Sequence, residues 1–156
     1  MTAALISATA LGIGGLGYCT VLGFLISAPD QVSRHVTLGI FFTFITLLAH
    51  SMTMFYLIGK GKAIREAVTD AGLSDELHLG VARARRPVFS IGTLAMGLTM
   101  LAAILGGGVD TGVLPAGVHS VPALAALIFN AFAFRAELVA LAAASDSVTE
   151  VNRLVE

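Results

Sequence analysis

Three polar side chains stand in otherwise apolar stretches where they could do chemistry: His50, Asn130 and Glu137. His50 belongs to the series Gly39, Thr43, Thr46, His50, Thr53, whose steps of four and three put all five on one helical face. Asn130 and Glu137 belong to a second such series, Ala123, Ala126, Asn130, Ala133, Glu137, Ala140 and Ala144. At 1.5 Å per residue from the outer end of their helices, His50 and Glu137 lie about 21 and 24 Å deep, so an imidazole and a carboxylate face inward at one height. Such a pair can share a proton, and the second imidazole nitrogen is then open to a hydrogen bond, to haem iron or to a proton path. Arg135 is two residues from Glu137, about 200° around the helix, so it is not the partner its position suggests. It is expected to snorkel toward the interface or to pair with another helix or chain.

The other histidines offer fewer partners. His35 and His119 open the second and fourth apolar runs at one face, where they are placed to converge on one ligand. Met96 lies at a depth similar to His50 and carries a thioether. His50, Met96, His35 and His119 are therefore the candidate ligands for a haem b, while His78 has no evident partner. The one cysteine, Cys19, excludes an internal disulfide framework and a Cys-rich metal site, and no site for a free metal ion is expected.

These side chains need helices to position them. The chain has 156 residues, 56% hydrophobic and only 12% charged, with a mean hydropathy of +0.90. A water-soluble domain of this size could not bury so much apolar surface. No Asp, Glu, Lys or Arg occurs in residues 1–29, 35–59, 87–109 or 111–134, and each window reaches the ~20 residues that cross ~30 Å of hydrocarbon. The sequence thus predicts an all-α integral membrane protein, a single four-helix bundle spanning at 3–28, 36–58, 87–105 and 121–143. Pro29, Pro87 at a first-turn position, and Gly106 to Gly108 with Pro115 serve as breakers. Residues 59–86 read as a helical hairpin broken at Gly72, with Ser74 capping its second piece. Residues 144–156 read as a short helical tail or an extension of the fourth helix, with Ser147 and Glu150 at capping-box spacing.

Six of the nine basic residues, Lys60, Lys62, Arg65, Arg83, Arg85 and Arg86, fall in the hairpin. By the positive-inside bias the hairpin and both termini are cytoplasmic, in a bacterial-type inner membrane. Met1 and Thr2 supply no basic region for a signal peptide, so the first span is expected to remain uncleaved. Tyr18 before Cys19 is too large for a lipoprotein processing site. A net charge of −1 argues against nucleic-acid binding. Gly12, Gly14, Gly15 and Gly17 spell a dinucleotide fingerprint, but inside a span rather than between strand and helix. Gly59 to Lys62 lacks the spacing of a phosphate loop, Arg85 and Arg86 are mid-chain, and no nucleophile–base pattern appears, so an enzyme is not expected.

Small residues recur along the first span, Ala4, Ala8, Gly12, Gly15, Cys19, Gly23 and Ser27, and along the third, Gly92, Ala95, Thr99, Ala102 and Gly106. Such stripes let helix backbones approach closely, within a bundle or between subunits. Three functions follow. The first is a small non-catalytic membrane subunit that joins a larger assembly or homo-oligomer through small faces at Gly12, Gly15 and Gly23. The second is a haem-b electron-transfer protein, because the chain resembles small four-helix b-type cytochromes in its architecture and its histidine-bearing seam. That resemblance departs at Ala133 to Arg135, where a second deep histidine would be expected. The third is a proton- or ion-coupled carrier subunit using His50 and Glu137.

Overall fold

The computed structural model describes residues 1–155 and is all-helical. Four helices follow in order: α1 (Thr2–Phe24), α2 (Pro29–Asp70), α3 (Glu76–Asp110) and α4 (Ala116–Val155). Each is long and apolar enough to cross a membrane. A helix satisfies every interior backbone group by itself, which is the requirement where water is absent.

The ends differ from expectation in ways that have physical causes. Pro29 does not simply end α1, which stops at Phe24. It begins α2, where its missing N–H would have no partner in any case. Pro87 lies well inside α3 rather than in its first turn, because the helix starts in the charged segment at Glu76. Ser74 accepts a weak 3.4 Å bond from Glu76 N, but the N-cap position is Asp75, whose side chain makes no cap. Gly106 to Gly108 do not break α3. A glycine ends a helix by turning left-handed, and it is Gly112 that does so, at φ 73°. There Val113 N bonds Gly108 O and Gly112 N bonds Val109 O, the two reversed bonds of a Schellman end. Gly72, at φ 62°, closes α2 in the same way through Leu73 N to Val68 O and Gly72 N to Thr69 O. Ser147 lies within α4 and reaches the Leu77 carbonyl instead of opening a new helix. Glu156, the last residue of the expected tail, lies outside the described residues.

The helices alternate in direction. Thr2 meets Tyr56, Gly12 meets Thr46 and Cys19 meets His35, so α1 and α2 are antiparallel. Ala102 meets His119 and Leu77 meets Ser147, so α3 and α4 are too. One end of the bundle therefore holds the α1–α2 and α3–α4 connections, here called the loop end. The other, the terminal end, holds both termini and the α2–α3 turn. Among the described residues α2 and α4 touch across the bundle while α1 and α3 do not.

The two ends are packed differently. At the terminal end Leu57, Ile64, Val68, Val81, Val88, Leu141 and Val151 form a core of branched side chains. This ties the 59–86 hairpin to α4. Toward the loop end the buried residues are small or polar: Gly12, Gly15, Cys19, Thr46, Ala95, Thr99, Ala102 and Ala126. Small side chains there bring the helix axes close and set the polar groups within bonding distance.

Candidate functional site

The bundle interior holds His50, Asn130 and Glu137, each at most 1% exposed. His50 Nδ1 lies 2.6 Å from Glu137 Oε1, and its Nε2 lies 2.8 Å from Asn130 Oδ1. Asn130 Nδ2 donates to the Ala126 carbonyl at 2.7 Å and to Thr99 Oγ1 at 2.8 Å. Thr99 in turn donates to the Ala95 carbonyl at 2.8 Å. One network thus joins α2, α3 and α4.

Its hydrogens can be assigned by elimination. The Ala126 carbonyl only accepts, so the Asn130 nitrogen faces it and the Asn130 oxygen faces His50. That oxygen also only accepts, so His50 Nε2 carries a hydrogen. Donors then run in one sense from imidazole to amide to hydroxyl to the Ala95 carbonyl, and each bond polarises the next. The Nδ1–Oε1 contact holds one further proton. Either an imidazolium faces a carboxylate, or a neutral imidazole accepts from a carboxylic acid.

The expectation that His50 offers a nitrogen to haem iron meets a different use of the ring here, two hydrogen bonds within the protein. Both ring nitrogens are engaged, and a metal at either would have to displace a buried hydrogen bond. The sulfur of Met96 accepts a hydrogen bond from Ser51 Oγ at 3.6 Å. His35 and His119 lie apart from this network, at the loop end, with ring centres 6.0 Å from each other. His78 pairs with Asp75 one turn earlier at 3.5 Å. Arg135 is exposed beside Pro87, Phe129 and Phe132, and among the described residues it has no ion-pair partner. Thr53 and Thr9, fully buried on α2 and α1, leave their hydroxyls without hydrogen-bond partners among the described residues.

The small-residue faces close within the chain. A methyl at Gly12 would stand 2.6 Å from Thr46 Oγ1, one at Gly15 would overlap the Phe42 ring, and one at Gly23 would reach His35. On α3, Gly92 packs against Met54 and Gly106 against His119. These glycines are helix-packing residues, and the helices they admit are α2 and α4 of the same chain. Near its start the buried face of α1 is Leu5 and Thr9 rather than Ala4 and Ala8, and Ala4 is exposed. Thr99 was visible in sequence only as a packing residue, and its bond to Asn130 is what gives it a place in the site.

Comparison with protein families, curated proteins and solved structures finds no match. The function must therefore be argued from the geometry itself.

Proposed function

We propose that the chain is a small non-catalytic subunit of a membrane assembly, built as four transmembrane helices around the His50 network. Its termini and the α2–α3 hairpin face the cytoplasm, where the basic residues of that hairpin meet anionic lipid headgroups. The observation that supports this reading best is an inverted polarity. His50, Asn130, Glu137, Thr46 and Thr99 are buried, whereas Phe44 is 69% and Phe55 74% exposed. Water would penalise that distribution and lipid rewards it. Because the glycine faces are closed internally, partners meet the outward side chains of α2 and α4, including Phe41, Phe44, Ile128, Phe132 and Val139. A photo-crosslinking residue at Phe44 or Phe132 in native membranes tests this. A discrete protein adduct from at least one position is expected, and adducts to lipid alone at both would overturn the reading.

A second reading, a proton-coupled carrier subunit, is favoured by the single proton held between His50 and Glu137. It requires that proton to exchange with water in the folded protein. Infrared difference spectra in heavy water report this through the Glu137 carboxyl band, using Glu137→Gln to identify it. A band that has not shifted after hours would remove the carrier reading.

A further inference from the structure

The loop end of the bundle carries one arrangement twice. His35 of α2 donates its Nδ1 hydrogen to the Cys19 carbonyl of α1 at 3.0 Å, and its ring lies against Gly23, four residues farther along α1. His119 of α4 donates its Nδ1 hydrogen to the Ala102 carbonyl of α3 at 2.9 Å, and its ring lies against Gly106, again four residues farther along. A methyl at Gly23 would come within 2.9 Å of His35 Cε1, and one at Gly106 within 3.2 Å of His119 Cε1. Each hairpin thus supplies a carbonyl to hold an imidazole and a glycine to make room for it.

The tether has a chemical consequence. A backbone carbonyl only accepts, so Nδ1 carries the hydrogen in both rings, and in the neutral imidazole Nε2 then keeps a lone pair. An imidazole oriented through one nitrogen by a carbonyl and free at the other is the form in which histidine binds metal. Neither Nε2 has a hydrogen-bond partner among the described residues. The two rings, both half-buried, meet with centres 6.0 Å apart and planes at 80°.

That separation is informative. With a metal–nitrogen bond of about 2.0–2.1 Å and about 1.1 Å from Nε2 to the ring centre, two imidazoles in line across one metal have centres about 6.3 Å apart, and at a tetrahedral angle about 5.1 Å. The observed 6.0 Å lies between these two values, so the rings are near enough to share one metal. Among the described residues no cluster of three or more His, Cys, Asp or Glu side chains is placed to hold a metal ion, so the protein offers this site two imidazole donors and no cage.

We propose that His35 and His119 bind one transition-metal centre between their Nε2 atoms. Copper(I) accepts two imidazoles with nothing else from the protein, since two nitrogen donors suffice for it. This inference does not depend on whether the chain has membrane partners.

The test uses the full chain purified in detergent, incubated with copper(I) under reducing conditions. One equivalent per chain is expected, read by metal analysis after gel filtration. His35→Ala and His119→Ala should each abolish stoichiometric binding, while His78→Ala should leave it intact. Gly106→Val, which displaces the His119 ring without removing a ligand, should weaken binding about 10–100-fold with the helical circular dichroism unchanged. It keeps the question answerable if the histidine variants misfold. Failure of the parent protein to bind one equivalent of copper(I), or equal binding by a folded His35→Ala/His119→Ala double variant, would overturn the proposal.

Discussion

The amide of Asn130 and the imidazole of His50 meet at 2.8 Å with one hydrogen-bonding sense open to them. Asn130 is held by its own nitrogen to the Ala126 carbonyl one turn back, so it can present only its oxygen. A local bond within α4 thereby fixes which nitrogen of α2's histidine carries hydrogen. The other nitrogen is left to Glu137, seven residues farther along the same helix face.

Replacing Asn130 by Leu keeps the volume and removes the acceptor. The Nε2 hydrogen of His50 is then buried without a partner, and unfolding in detergent should show a loss of about 1–3 kcal/mol. An unchanged midpoint would mean that His50 does not depend on this bond.

Glu137 distinguishes the two placements of the shared proton. If His50 is neutral, Glu137→Gln can still donate an amide hydrogen to Nδ1, and the change should cost under about 1 kcal/mol, against about 2–5 kcal/mol for Glu137→Ala. Equal destabilisation by the two substitutions would show instead that the contact is an imidazolium–carboxylate pair.

The glycines of α1 make a paired comparison. A methyl at Gly12 would stand 2.6 Å from Thr46 Oγ1 and 3.0 Å from the Thr46 Cα, so the α2 backbone itself is in the way, whereas Gly14 faces open space. Gly12→Ala should cost about 1–3 kcal/mol by overpacking, and Gly14→Ala should be neutral or slightly stabilising. Thermal unfolding followed by circular dichroism decides this, and similar midpoints for both variants would contradict the α1–α2 contact.

The helical faces were legible in the sequence because steps of three and four residues are little disturbed where no charge interrupts them. His50, Asn130 and Glu137 fell on such faces, and counting 1.5 Å per residue put the imidazole level with the carboxylate. The helix ends were less legible. Pro87 and Gly106 to Gly108 are breakers by composition, yet each is accommodated inside α3, whose end is made instead by the left-handed Gly112. Thr99 was hidden by its neighbours Gly92, Ala95 and Ala102, which mark a packing surface. The carbonyls of Cys19 and Ala102 had no signature at all, since a backbone group that receives a histidine leaves no trace in residue type.

Arg135 contrasts with these buried groups. It is exposed and, among the described residues, unpaired. Arg135→Ala should change stability in detergent by no more than about 0.5 kcal/mol. A larger loss would reveal a partner contributed by another chain in the purified assembly.

Nitrogen-15 NMR of the histidine side chains, in detergent near neutral pH and assigned with His50→Gln, reads the network directly. The geometry predicts that Nε2 of His50 carries a slowly exchanging hydrogen, while Nδ1 shows the shift of a nitrogen in a short hydrogen bond that changes on Glu137→Gln. A spectrum with Nε2 bare and Nδ1 protonated, insensitive to Glu137→Gln, would contradict it.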